Sequence, residues 1–353
     1  MMKRIDSFGV FSSLAFLFLL LFVGGCSRGG DSAVAFTLDD VKTIPAESFH
    51  ALDQIELGRP GRIVCWDENR VIVADRMLPS LLSLINIQTG EKRPFLKMGR
   101  GPGECLDVSC MVAQEDKLYA YSTSSKKIIV LRESDEADQV FSLVEEIPIK
   151  EACIRVIPTK DGGYIGTPNH DGRFYLFSGN GTVVDTLGSF PPVEGEAAAT
   201  NNIAFQSSFA FSPDGKHLCS AFSNMDFIEI YSVNFKKTNR LWGPDPFLPR
   251  AVRRERSGLV SYAAEPHKQV YSAISATDKG FLVGYIGHLY TDRDDPARYA
   301  KDFLYFDWKG KLLARYTIPQ ELPFFDVDWE NGRLFGVTNE AEPKLVLAEL
   351  KGI

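Results

Sequence analysis

After its first two dozen residues this 353-residue chain has no long apolar run, so nothing further along is built to span a membrane as a helix. Helical periodicity is scarce throughout, which argues against an α-rich core. There is no C-x-x-C pair, and no two of the five histidines stand at metal-ligand spacing, so zinc and dithiol sites lack their signatures. A G-x-S-x-G nucleophile elbow is missing. Basic charge is short as well. Against 46 Asp and Glu stand 39 Lys and Arg, a net charge of −7 without the basic footprint of a general nucleic-acid binder. No cofactor, metal or nucleic acid is expected.

What is present begins at the N-terminus. Lys3 and Arg4 precede an apolar run from Phe8 to Val23, and Val23-Gly24-Gly25-Cys26 follows. A charged start, a short apolar stretch and small residues before a cleavage point describe a secretory signal over residues 1–25. The run is about 16 residues, short of the roughly 20 that a stable span needs. The Cys with its aliphatic and small predecessors resembles the bacterial lipobox. That resemblance implies that Cys26 becomes the mature N-terminus and carries acyl chains, each buried methylene adding about 0.8 kcal/mol of membrane affinity. Ser27 to Ala35 is small, polar and Gly-containing, and residues 26–45 are expected as a tether and leading segment.

With Cys26 acylated, five cysteines remain: Cys65, Cys105, Cys110, Cys153 and Cys219. An odd number cannot all pair within one chain, and three of them sit in apolar, strand-like surroundings where a thiol acts as a small hydrophobe. No essential disulfide is expected.

The rest reads as short runs of Val, Ile, Phe, Tyr and Leu separated by Gly, Asp, Asn and Pro. Turn signals fall at Asp67-Glu68-Asn69, Glu115-Asp116-Lys117, Asp161-Gly162-Gly163, Pro213-Asp214-Gly215, Asp278-Lys279-Gly280 and Glu330-Asn331-Gly332. Each is followed by a strand and then a second hairpin. Two hairpins per unit means four strands per unit, repeated at the period of propeller blades. Six units fit, over about residues 60–104, 105–150, 151–193, 201–250, 260–320 and 321–353. The last is one strand short, and His50 to Leu57 is expected to complete it and close the ring. The fold expected is all-β: one six-bladed β-propeller of four-stranded antiparallel sheets over 46–353, closed by an N-terminal strand. The Pro-rich stretch ending in Arg250, Arg253, Arg254 and Arg256 is read as a solvated loop.

At Gly99-Arg100-Gly101-Pro102-Gly103-Glu104 the sequence becomes specific. This G-x-G-P-G-E stretch follows a strand that ends a unit. Together with Val71-Ile72-Val73-Ala74-Asp75 and the turn Asn86 to Gly90, it resembles the six-bladed TolB-like or NHL-like propeller lipoproteins of Bacteroidetes. The resemblance is strong over 62–104 and implies a six-bladed propeller exported to the cell envelope. The expected place is the outer membrane, with its periplasmic or surface side left open. It implies little chemistry. Cys105 stands where that family often carries an aromatic.

The Gly-rich loop reads as a tight turn whose amides are satisfied by Glu104, with an anion-binding nest near Arg100 as the sharper alternative. It is no P-loop, because no Gly-Lys-Ser/Thr follows. Ligand-binding candidates are Arg100, Glu104, His170, Arg173, His288 and Arg293, of which His170 and His288 sit where a blade loop could aim them at the central channel. Asp326 and Asp328 share one face of a strand and are read as facing a loop or solvent. No catalytic residue is assigned. The function expected is a lipid-anchored, non-enzymatic binding or scaffold propeller for a glycan, peptide or partner envelope protein. The alternative is a propeller enzyme, of lyase or glycoside hydrolase type, acting in the central funnel.

Overall fold

A computed structural model describes residues 33–76, 79–168, 172–188, 205–232, 234–235, 238–256, 259–265, 267–289 and 298–353. The proposed acylation at Cys26, the loop around His170 and the stretch holding Arg293 lie outside the described residues.

Six four-stranded antiparallel units follow one another along the chain. Blade 1 is Pro60–Asp67, Arg70–Asp75, Ser80–Asn86 and Lys92–Lys97. Blade 2 is Cys110–Gln114, Lys117–Ser122, Lys127–Glu133 and Phe141–Pro148. Blade 3 runs over Cys153–Pro158, Tyr164–Pro168, Phe174–Phe177 and Val183–Leu187. Blade 4 is Ser207–Phe211, His217–Phe222, Phe227–Ser232 and Thr238–Trp242, and blade 5 is Lys268–Thr277, Gly280–Leu289, Ala300–Asp307 and Leu312–Leu322. Blade 6 takes Phe324–Asp328, Arg333–Val337 and Leu345–Glu349 from the C-terminus and Glu47–Ala51 from the N-terminus.

The period-two pattern of the strands explains why sheets stack in a ring. Successive side chains point to opposite faces, so a strand apolar on both faces must have a neighbour on each side. In blade 1, Ile72 and Leu84 pack with Leu118 and Ile129 of blade 2. Val71, Val73 and Ile85, of opposite parity, pack with Phe335 and Leu347 of blade 6. Blade 2 repeats the device: Ile128 and Val130 face Ile165 and Phe174 of blade 3. Apolar clusters likewise join blades 4 and 5 through Ile230, Phe281 and Phe306, and blades 5 and 6 through Phe303, Leu334 and Val346.

The closing strand is Glu47–Ala51 rather than the His50–Leu57 expected from the sequence. Ala51 pairs with Val346, His50 with Leu347, and Glu47 with Glu349. The Leu52 amide still donates to the Leu345 carbonyl at 2.9 Å; beyond it the chain turns, and Leu52 and Ile55 are buried against blades 6 and 1. The leading segment is also structured. Val34–Ala35 runs parallel to Leu241–Trp242 on the outer edge of blade 4, and Thr43–Pro45 runs parallel to Arg315–Thr317 on the outer edge of blade 5. Between them a 3-10 turn, Leu38–Asp40, is capped by Thr37, whose amide donates to Asp40 Oδ2 at 2.7 Å. Phe36 is buried, its ring edge-on to Phe306 at 5.0 Å. Residues 34–51 therefore form a strap across the outer edges of blades 4, 5 and 6 in turn.

The arginine-rich stretch read as a loop is a hairpin, Arg250–Arg256 with Leu259–Glu265, inserted between blades 4 and 5.

Candidate functional site

The inner edges of the six sheets surround a central channel of about 510 Å³. Each blade contributes its first strand to the wall. At one end the channel reaches the turns that follow those strands, where Glu115, Lys160, Pro213 and Gly215 line it. A space of this size matches that of ordinary small-molecule pockets, about 300–1,000 Å³.

Two arginines enter this space from blades 1 and 3. Arg62 is the third residue of Pro60–Asp67, and Arg155 the third of Cys153–Pro158. The guanidinium of Arg62 lies 4.6 Å from the centre of the Phe324 ring. Burial, with the charge of Arg155 adding to it, lowers Arg62 to about 9. Burial also lowers Arg155. A guanidinium keeps its charge in proteins. The wall between them is blade 2, whose Cys110 thiol is pushed up by burial and is neutral. Among the described residues, neither guanidinium makes a hydrogen bond or ion pair. Arginines elsewhere in the blades behave differently: Arg70 meets Glu133, Arg173 meets Glu229, Arg315 meets Asp302 and Arg333 meets Asp328.

On blade 6, next to blade 1, Asp326 joins three blades. Its Oδ1 accepts from Ser275 Oγ of blade 5 at 2.6 Å, and its Oδ2 accepts from the Cys65 amide of blade 1 at 2.9 Å. Ser275 Oγ in turn accepts from Trp329 Nε1 at 3.1 Å. Burial raises the Asp326 carboxyl above its ordinary range. Asp328 does not act beside it. Asp328 is buried and takes Arg333 Nε at 3.0 Å and Asn331 Nδ2 at 2.9 Å, closing its own hairpin. The loop or solvent-facing placement expected of this pair is corrected for Asp326, which is held between blades 5, 6 and 1, whereas Asp328 faces the turn of its own hairpin.

The residues singled out from the sequence are scattered. Glu104 serves its own turn, Oε2 accepting from the Gly101 amide at 2.9 Å. A Cβ on Gly99 would fall 2.0 Å from that oxygen, so the turn needs glycine there. Gly103, at φ +70°, donates its amide to Glu146 of blade 2, and Arg100 is exposed on the turn. Arg173 is 2% exposed and lies between the rings of Phe174 and Phe222, at 4.5 and 4.4 Å. It donates to Ser207 Oγ at 2.8 Å, to Ser220 Oγ and to Glu229. Those partners tie blade 3 to blade 4 and leave the guanidinium little to offer a ligand. His288 stands in the strand Gly280–Leu289, in register with Gln269.

Sequence reading missed Arg62 and Arg155. The signal was available: Arg62-Ile63-Val64 and Arg155-Val156-Ile157 place a charge before two aliphatics at the same position of two units. A charge that recurs at one register of the innermost strand points at the axis.

The family described as "TolB-like 6-blade propeller-like" matches residues 42–330. No curated protein matches the sequence. Among solved structures, a Bacteroides fragilis NCTC 9343 protein described as exported superimposes with a TM-score of 0.52 at 14% identity, covering 90% of this chain and 99% of that one. A luciferin-regenerating enzyme gives 0.51 at 9% identity, covering 86% and 95%. The WD40 repeats of RRP9 give 0.50 at 12% identity, covering 87% and 99%. At such identities these likenesses speak for the fold alone.

Proposed function

We propose that this chain, which belongs to the TolB-like 6-blade propeller family, is a ligand-binding propeller held at the cell envelope that receives a small molecule, or the end of a glycan or peptide, in its central channel. The observation that carries this is the channel itself: about 510 Å³, walled by all six blades and bearing ionisable groups in a lining that mixes polar and apolar side chains. A functional site in a fold of this kind is expected where concavity and a few convergent polar groups coincide. Gln114, half-buried on the wall, gives a direct test. Gln114→Trp adds bulk to the channel wall while leaving Arg62, Arg155 and Asp326 unsubstituted. Ligands found by screening soluble glycans and peptides against the full-length protein in detergent should bind at least tenfold more weakly to this variant, at unchanged thermal stability. Equal binding by the two proteins refutes a channel site and favours a scaffold surface.

The envelope part of the reading is supported by the lipobox-like Val23-Gly24-Gly25-Cys26 and the small, polar residues after it. Cys26→Ala should move the protein from the membrane to the soluble fraction. Retention in the membrane fraction would count against acylation.

Asp326 favours a second reading, an enzyme acting in the funnel. A channel carboxyl raised by burial is of the kind that holds a proton for transfer. Glycoside hydrolysis, however, needs two carboxyl groups flanking one bond, and Asp328 is committed to Arg333. A lyase would need one acid or base only. Turnover of an acidic polysaccharide, lost in Asp326→Asn, would establish the enzymatic reading over the binding one.

A further inference from the structure

We infer that the channel takes the acidic group of a small organic ligand between Arg62 and Arg155, an inference that rests on the channel reading above and gives it a ligand class. Two like charges drawn into one enclosed space repel each other and lose hydration. Such an arrangement persists where something outside the chain completes it. Two acids line the channel, and neither neutralises the pair. Both oxygens of Asp326, on blade 6 next to blade 1, are engaged by the Cys65 amide and the Ser275 hydroxyl, and Glu115 is exposed at the mouth. The residue between the two arginines is a neutral thiol, Cys110.

Guanidinium groups present paired N–H donors in a plane, which suits a carboxylate or another oxyanion. The remaining lining argues that this acid belongs to an organic molecule. At about 30 Å³ per water, the space of about 510 Å³ would hold on the order of 15 waters, far more than an inorganic anion fills. Half-buried Phe211, Phe324 and Trp329 offer apolar surface beside the charges, as the flat face of a sugar ring or a short apolar chain requires. The ligand is thus a compact organic acid, of which an acidic sugar is the natural probe.

The test compares digalacturonate, its dimethyl ester and inorganic phosphate by calorimetry, using the full-length protein in detergent and the variants Arg62→Gln, Arg155→Gln, Arg62→Lys and Gln114→Trp. Digalacturonate should bind at least tenfold more tightly than the ester. Each Gln variant should lose about ten- to a hundredfold of that affinity, the worth of one hydrogen bond to a charged group. Arg62→Lys should keep an intermediate affinity. A further readout separates binding from a structural role: without ligand, each Gln variant should melt at or above the parent temperature, because it removes an unpaired charge. Equal affinity for acid and ester, or a preference that survives both Gln substitutions, overturns the inference. Phosphate binding as tightly as digalacturonate overturns the organic part of it. If Gln114→Trp abolishes binding while the arginine variants do not alter the acid preference, the channel reading stands and this inference alone fails.

Discussion

Arg173→Met should destabilise the protein severely without altering ligand binding. The guanidinium lies between two aromatic rings from adjacent blades, bonds two serine hydroxyls of blade 4 and faces the buried carboxylate of Glu229. Removing one member of a buried ion pair costs about 3–5 kcal/mol, because the partner is left charged in a poor solvent. Here Glu229 keeps Tyr231, whose hydroxyl donates to it at 2.6 Å, and Arg240 at 3.4 Å. The lower end therefore applies, about 3 kcal/mol, and methionine retains part of the ring contact. At about 2–4 °C per kcal/mol, the melting temperature should fall by about 6–12 °C. Urea titration followed by tryptophan fluorescence reads the loss, and Trp242 in blade 4 reports locally. The double variant Arg173→Met/Glu229→Gln should recover part of the loss, since it no longer strands a charge. A single-variant loss under about 1 kcal/mol, or a change in ligand affinity at unchanged stability, would refute this account of Arg173.

Three further outcomes follow from described contacts. Phe36→Ala should cost about 3–4 kcal/mol, because the strap loses the ring that packs on Phe306; an unchanged urea midpoint would mean the strap does not hold blades 4 and 5 together. Gly99→Ala should cost about 1–3 kcal/mol by driving a methyl into the Glu104 carboxylate, and Gly99→Ala/Glu104→Ala should relieve the clash. Asp326 is raised by burial, so the folded protein holds its proton more tightly than the unfolded chain. Its contribution is complete below the ordinary value of 3.8 and is lost as pH rises through the elevated one. As pH rises above 3.8 the parent should accordingly lose stability relative to Asp326→Asn, and a pH-independent difference in urea midpoints would show the carboxyl is not shifted.

The ring was legible because it repeats. Turn residues at Asp67, Glu115, Asp161, Asp214, Asp278 and Glu330 mark the same hairpin in six units, and runs such as Val71-Ile72-Val73 demand neighbours on both faces. The strap was not legible. Val34–Ala35 and Thr43–Pro45 are too short to show alternation, and their parallel pairing to sheet edges depends on backbone groups that every residue carries. The closing strand was placed a few residues late because Leu52, Ile55 and Leu57 extend the apolar pattern past the point where Asp53 and Gln54 turn the chain. Site residues were harder still. A lone arginine reads the same whether it plugs an interface, as Arg173 does, or faces the axis, as Arg62 and Arg155 do. Only comparison of equivalent positions between units separates the two.

The strap sets an order of events during synthesis. Glu47–Ala51 leaves the ribosome among the first of the described residues, yet its partner Leu345–Glu349 comes almost last. At about 5–20 residues per second, roughly 15–60 s pass before the two can meet. Throughout that interval the lead segment has to wait without sticking to anything else. Its wording suits the wait: Thr37, Asp39, Asp40, Lys42, Glu47 and His50 keep it well hydrated until the last blade arrives.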